Sequence, residues 1–117
     1  MDLTEAIAKH GQWKMKFRTA IKEKQQIDAA MIAKDDCCTL GQWLHGEGGT
    51  RHGTLLQFQI LVETHRTFHR VAGKVAQMIN GARYAEAEAA LSAGTPYAAA
   101  SSDVGVTILG RTKASVG

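Results

Sequence analysis

Leu61-Val62-Glu63-Thr64-His65-Arg66-Thr67-Phe68-His69-Arg70 places two histidines four residues apart. Positions i and i+4 of an α-helix lie on one face, one above the other. The surroundings read as helix: Leu55 to Ile79 holds no Pro, one Gly, and apolar residues at helical spacing. A stripe drawn in steps of three and four runs Phe58, Val62, His65, His69, Ala72, Ala76, Ile79. Both histidines fall where a bundle expects Leu or Val. Imidazoles in an apolar seam need hydrogen bonds or ligands, since unsatisfied buried polar groups are costly. One such histidine reads as a bonded core residue; two stacked ones make a shared metal a competing explanation.

Outward from this helix, the N-terminal segment shows a second apolar stripe: Leu3, Ile7, His10, Trp13, Phe17, Ala20 and Ile21. Asp2 with Glu5 three residues on resembles a capping box, so the spacing predicts a helix from about Leu3 to Gln25. His10 lies on its apolar face. Ile27 to Lys34 reads as an extension of that helix or as a loop with a helical turn. Asp35-Asp36 reads as the N-cap region of a short helix, Cys37 to about Leu44, with Trp43 and Leu44 inward. Gly41 inside it implies close packing against another backbone. Gly46, Gly48 and Gly49 read as a flexible loop on which the short helix can swing, flanked by His45 and His52 as exposed loop residues. Asn80-Gly81 predicts a stop. A helix from about Ala82 to Ser92 follows, then Gly94-Thr95-Pro96 as break, cap and first helical residue. The last helix runs from Pro96 to about Lys113, with Tyr97, Val104, Ile108 and Leu109 apolar.

The fold class is therefore all-α: a small antiparallel helical bundle of four main helices plus a short Cys-bearing helix, in a single domain, 1–117. Apolar residues make up 44% of the 117 and charged residues 21%, a globular balance. The net charge of +3 is spread along the chain, which argues for a solvated surface and against nucleic-acid binding. Cys37 and Cys38 are the two cysteines, and they are adjacent. That excludes a secreted disulfide scaffold. The acidic start lacks signal-peptide features and no apolar run is long enough to span a membrane, so a cytoplasmic location is expected.

Three elements offer candidate ligands: His10, Cys38, and His65 with His69. Three histidines and a cysteine suit tetrahedral Zn2+ in number and softness. Cys38 in the first turn of a helix also gains from the exposed amides, which favour a thiolate. Cys37 points about a hundred degrees away on a helix, so one of the pair faces a site. The alternative remains a satisfied core histidine and a small buried thiol.

Three stretches carry a family resemblance: Ala6-Ile7-Ala8-Lys9-His10-Gly11-Gln12-Trp13-Lys14, Cys38-Thr39-Leu40-Gly41-Gln42-Trp43-Leu44, and Leu61 through His69. They combine a His shortly before a Trp, Cys-x-Leu-Gly-x-Trp, and a helical His-x-x-x-His. In these the chain resembles the chemoreceptor zinc-binding (CZB) domain. The resemblance implies zinc ligands His10, Cys38, His65 and His69. It also implies a two-fold homodimer, and a sensory role toward zinc or oxidants such as hypochlorous acid through a redox-reactive Cys38. Output through a chemoreceptor signalling domain or a diguanylate cyclase, in the same polypeptide or in trans, follows from the same resemblance. No methyl-accepting coiled coil and no cyclase motif is present in these residues.

An enzyme is not expected. Arg66 stands after His65, where a helical zinc protease needs Glu as base, and a fourth protein ligand leaves no position for water. Di-iron chemistry needs several inward carboxylates, which Glu63 alone does not supply. The alternative to a sensor is a purely structural, zinc-stabilised helical dimerisation module.

Overall fold

The structure is a computed structural model that describes residues 2–116, with side chains described for Asp2 and residues 4–107. The helices are α1 (Leu3–Gly11), α2 (Trp13–Glu23), α3 (Ala29–Ile32), α4 (Thr39–His45), α5 (Glu47–His52), α6 (Leu56–Asn80), α7 (Tyr84–Ala90) and α8 (Pro96–Val116). No strand occurs among the described residues, so the all-α helical bundle read from the sequence stands.

The central α6 packs along α8 and against α2, α3 and α7, while α1 lies on α8 and α4. Its buried face comprises Phe58, Leu61, His65, Phe68, His69, Ala72, Gly73, Val75, Ala76 and Ile79. The expected stripe is there, with Val62 half-buried. The stripe is wider than a single seam because α6 has neighbours on several sides. Phe17 and Phe68, each at most 1% exposed, are the largest buried side chains. Each contributes roughly 1.5–3 kcal/mol by leaving water. Ile108 and Leu109, expected on the last helix, lie outside the described side chains, as does Leu3.

Asp2 caps α1 as expected: its carboxylate accepts the Glu5 amide at 3.0 Å. The single N-terminal helix expected from the sequence is interrupted at Gln12. That amide is shared between the carbonyls of Ala8 and Lys9 at 3.2 and 3.3 Å. Lys24 ends α2 in the left-handed conformation, φ 55°, and the Gln25 amide reaches back to Ala20 at 2.9 Å. This is a Schellman-type stop made without glycine. The uncertain 27–34 segment resolves into a single helical turn, α3, capped by Asp28.

Two expectations fail between Cys37 and His52. The short helix starts later than expected, at Thr39, and its N-cap is Cys38, with Asp35 and Asp36 in the preceding turn. The glycine-rich segment is not a loop. Gly46 ends α4, and α5 forms directly after it. Gly48 is there for proximity: a Cβ on it would lie 2.8 Å from the Trp43 ring. His45 and His52 are accordingly helical residues, and only His45 is exposed; His52 is half-buried beside Trp43 and Phe58. The expected stop at Asn80-Gly81 holds, but the left-handed residue is Ala82, φ 61°. Asn80 also grips the chain before α3, accepting the Ile27 amide at 2.8 Å and donating to the Ile27 carbonyl at 2.7 Å. Gly94 takes φ 81°, and the Thr95 hydroxyl accepts the Ala98 amide at 3.3 Å. The expected break, cap and Pro at N1 are all present.

Candidate metal centre

His10 comes from α1, Cys38 from the cap of α4, and His65 and His69 from adjacent turns of α6. All three histidines are buried and Cys38 is half-buried. One donor atom from each lies within 4.8 Å of the others. Nε2 of His65 is 3.1 Å from Nε2 of His10 and 3.0 Å from Nε2 of His69. Sγ of Cys38 is 3.3, 3.5 and 3.9 Å from Nε2 of His65, His69 and His10.

Two of the three tautomers follow from their partners. A carbonyl oxygen only accepts, so the ring nitrogen facing it carries the hydrogen. Nδ1 of His10 donates to the Ala6 carbonyl at 2.9 Å. Nδ1 of His69 donates to the Ile32 carbonyl at 2.9 Å. Both rings therefore turn a bare Nε2 lone pair toward the common centre, the orientation that metal-ligating histidines use. Nδ1 of His65 is buried and has no hydrogen-bond partner among the described residues. The Leu61 carbonyl four residues back, the counterpart of the Ala6 carbonyl at His10, receives the Thr64 hydroxyl at 3.2 Å.

Cys38 acts as a cap in the way a Ser or Asp does. Its backbone is extended, φ −82° and ψ 164°, and its sulfur accepts the Gly41 amide at 3.2 Å. Gly41 is required here, because any Cβ would overlap the carbonyl oxygen of Asp35. The close backbone approach expected at Gly41 is thus present, and its partner is Asp35. The Asp35 carboxylate accepts His45 Nε2 at 3.1 Å and faces Arg66 Nε at 3.8 Å. These contacts tie the turn before Cys38 to α4 and α6.

The electrostatics favour ligand-competent imidazoles. Burial, then the neighbouring His69, His10 and His45, pushes His65 down to about 2. Burial also lowers His10 and His69, against the opposing pull of the Ala6 and Ile32 carbonyls. Neutral rings are the form that binds metal. Burial raises the Cys38 thiol, while the amides of Gly41 and Leu40 act the other way.

This donor set fits zinc. Zn–N and Zn–S bonds of about 2.0 and 2.3 Å give a tetrahedron with edges of about 3.3 Å between nitrogens and about 3.5 Å between nitrogen and sulfur. The two nitrogen–nitrogen separations of His65 and the three from Cys38 lie within a few tenths of an ångström of those edges. Glu63 is exposed and paired with Arg66 at 3.1 Å, so neither takes part. His45 and His52 are not in the cluster.

The family model of the chemoreceptor zinc-binding domain matches residues 10–76, more than half of the chain. The chain belongs to this family. The match begins on His10 and spans Cys38, His65 and His69, so a CZB domain brings its own donor set within one matched segment. No curated protein and no solved structure matches the chain. Among the described residues, no helix is long and apolar enough to cross a membrane. The sequence did not point to the carbonyls of Ala6 and Ile32 or to the Asp35 bridge. Only Gly41 signalled that a backbone lay close by.

Proposed function

We propose that residues 1–117 act as one zinc-binding bacterial sensory module. Nε2 of His10, His65 and His69 and Sγ of Cys38 are its zinc ligands. The observation that carries this reading is the convergence of the four donors, with two rings fixed by carbonyls so that their lone pairs face inward. Bound zinc keeps a cysteine as thiolate and completes a closed four-ligand site, which suits sensing or structure and not catalysis. The protein is therefore not an enzyme.

Cys38 is the redox-reactive residue. A cavity of about 360 Å³ bordered by Lys9, His10, Trp13, Cys37 and Cys38 brings solvent to the half-buried Cys38, whereas His65 is fully buried. The thiolate takes the oxygen of hypochlorous acid, giving a sulfenic acid and releasing chloride. The oxidised sulfur is a poorer acceptor for the Gly41 amide, so α4 loses its cap. The glycines after α4 belong to α5, so the movement is a loosening at the cap and not the swing on a loop that the sequence implied. The signal passes to a chemoreceptor signalling domain or diguanylate cyclase, in the same polypeptide or in trans. Leu56 and Ile60, exposed at 70% and 44% and one turn apart on α6, give that helix an apolar outer edge that supports a homodimer, and the setting is cytoplasmic.

The test is metal content after purification without added zinc, with ligand atoms identified by X-ray absorption, for wild type and Cys38→Ser. One zinc per chain with three nitrogens and one sulfur is expected. Absence of sulfur from the wild-type shell would refute the ligand set. Oxidation of Cys38 that leaves hydrogen exchange across residues 36–44 unchanged would favour the structural dimerisation module instead.

A further inference from the structure

Two thiols border the cavity that leads to the site, and the ligand set uses one of them. Cys37 is exposed, and its Sγ donates to Asp36 Oδ1 at 3.5 Å. Cys38 shares the same cavity wall, with its sulfur turned to the histidines. We propose that Cys37 is the resolving thiol of the Cys38 switch, forming a disulfide between the two adjacent residues. This rests on the reading of Cys38 as the oxidant's target.

The chemistry balances in two steps. The Cys38 thiolate and hypochlorous acid give Cys38 sulfenic acid and chloride, with chlorine reduced by two electrons. The Cys37 sulfur then attacks the Cys38 sulfur. The S–S bond forms, the S–O bond breaks, and the departing hydroxide leaves as water with the Cys37 proton. No thiol has to diffuse in, because the partner is the preceding residue.

Adjacency also makes the bond temporary. Consecutive Cα atoms across a trans peptide are about 3.8 Å apart, below the roughly 4.4–6.8 Å usual for a disulfide. A bond formed under such strain is more readily reduced, as regulatory disulfides are. Without capture, a second molecule of hypochlorous acid oxidises the sulfenic acid to sulfinic acid, itself ending as chloride, and ordinary thiol reductants do not reverse that step. In forming the bond, Cys38 Sγ leaves both the three Nε2 atoms and the Gly41 amide. The same event thus empties one corner of the ligand set and uncaps α4. Cys37 makes the switch resettable.

The experiment treats the zinc-loaded full chain with stoichiometric hypochlorous acid. Free thiols are then blocked, and the tryptic peptide spanning residues 35–51, which holds both cysteines, is weighed. Wild type should give a peptide two hydrogens lighter that resists alkylation until reduced, and reductant should restore zinc binding. Cys37→Ser, an exposed position that does not threaten folding, should instead accumulate Cys38 sulfenic acid, trapped by dimedone, and a second equivalent of hypochlorous acid should carry it to sulfinic acid, whereas the wild-type disulfide withstands that second equivalent. Its recovery with reductant should fall several-fold. Equal Cys38 sulfenic acid and equal recovery in both proteins overturns the role of Cys37 while leaving Cys38 as the target. So does a Cys37–Cys37 cross-link between chains. An intact Cys38 in both proteins overturns the underlying oxidant reading itself.

Discussion

His69 donates Nδ1–H to the carbonyl of Ile32 at 2.9 Å, which fastens a ring of the central helix to the single turn of α3. The carbonyl is held in place from outside the site. Asp28 caps α3, Asn80 grips Ile27, and Ala33 packs on Gly73 of α6. The orientation of one donor therefore depends on a glycine one turn further along the same helix.

Gly73→Ala should reveal that dependence. In an ordinary helix the change would add about 1 kcal/mol of stability. Here the new Cβ would lie 2.6 Å from Ala33 Cβ and 3.0 Å from its Cα. Overpacking of this kind costs about 1–3 kcal/mol, so the clash wins. Displacing α3 takes the Ile32 carbonyl from His69, and loss of such outer contacts weakens zinc about 10–100-fold. Chelator competition and urea unfolding check both effects; a more stable variant with unchanged affinity would contradict the account.

Ala82→Gly should stabilise the protein. Ala82 sits at φ 61° after α6, a conformation that costs a non-glycine residue about 1–2 kcal/mol. Greater freedom of glycine in the unfolded chain offsets part of that. A net gain of about 1 kcal/mol, or about 4 °C in melting temperature, is expected, and a lower Tm would count against the assigned conformation.

Tyr97→Phe separates a buried hydroxyl from its ring. Tyr97 is 3% exposed, and its hydroxyl has no hydrogen-bond partner among the described residues. The ring packs on Phe17 and Phe68, contacts that Phe keeps. Removing an unsatisfied polar group should be neutral or stabilising by about 1 kcal/mol. Burial pushes Tyr97 up to about 12, above the value of about 10 in an unfolded chain. Below about pH 10 the phenol is neutral in both states and adds no pH dependence. Between about 10 and 12 only the unfolded chain ionises, so wild type loses stability that Tyr97→Phe keeps. Urea midpoints at pH 8 and pH 11 for both proteins test this; parallel losses would refute it.

His65→Ala and His45→Ala should behave very differently. His65 is fully buried among the donors, and its loss should weaken zinc by more than about 100-fold and lower the melting temperature. His45 is 43% exposed and meets Asp35 at 3.1 Å, so its removal should cost about 1 kcal/mol or less. The same contrast is expected between His69→Ala and His52→Ala. Isothermal zinc titration with parallel melts reads it, and similar losses of zinc affinity for the clustered histidines and for His45 and His52 would undo the ligand assignment.

The sequence made some of this legible and hid the rest for physical reasons. His65 and His69 stood out because helical periodicity fixes which side chains share a face, and polar residues on an apolar stripe contradict the pattern. His10 was visible by the same logic. Gly41 was readable because a glycine in a short helix needs a reason, and the Asp35 carbonyl is that reason. Cys38 as an N-cap was hidden because oxygen-bearing side chains dominate that position, and two aspartates stood just before it. The helix α5 was hidden because Gly46, Gly48 and Gly49 carry the usual mark of a loop, whereas Gly48 makes room for Trp43. The carbonyls of Ala6 and Ile32 have no signature at all, since every residue has one and only tertiary placement selects it.

The donor set also constrains when the centre can exist during synthesis. His10 and His65 are 55 positions apart, and bringing such distant points together costs the unfolded chain about 3.5 kcal/mol in loop-closure entropy. No short fragment holds all four donors; the shortest continuous piece that does runs from residue 10 to 69. A ribosome-bound chain therefore exposes His10 and then Cys37 and Cys38 before the two histidines of α6 emerge. Metal taken up early meets an incomplete and floppy set of groups. With the proposed ligand set, tight capture would wait for α6, and occupancy would be a late event that reports a completed tertiary fold.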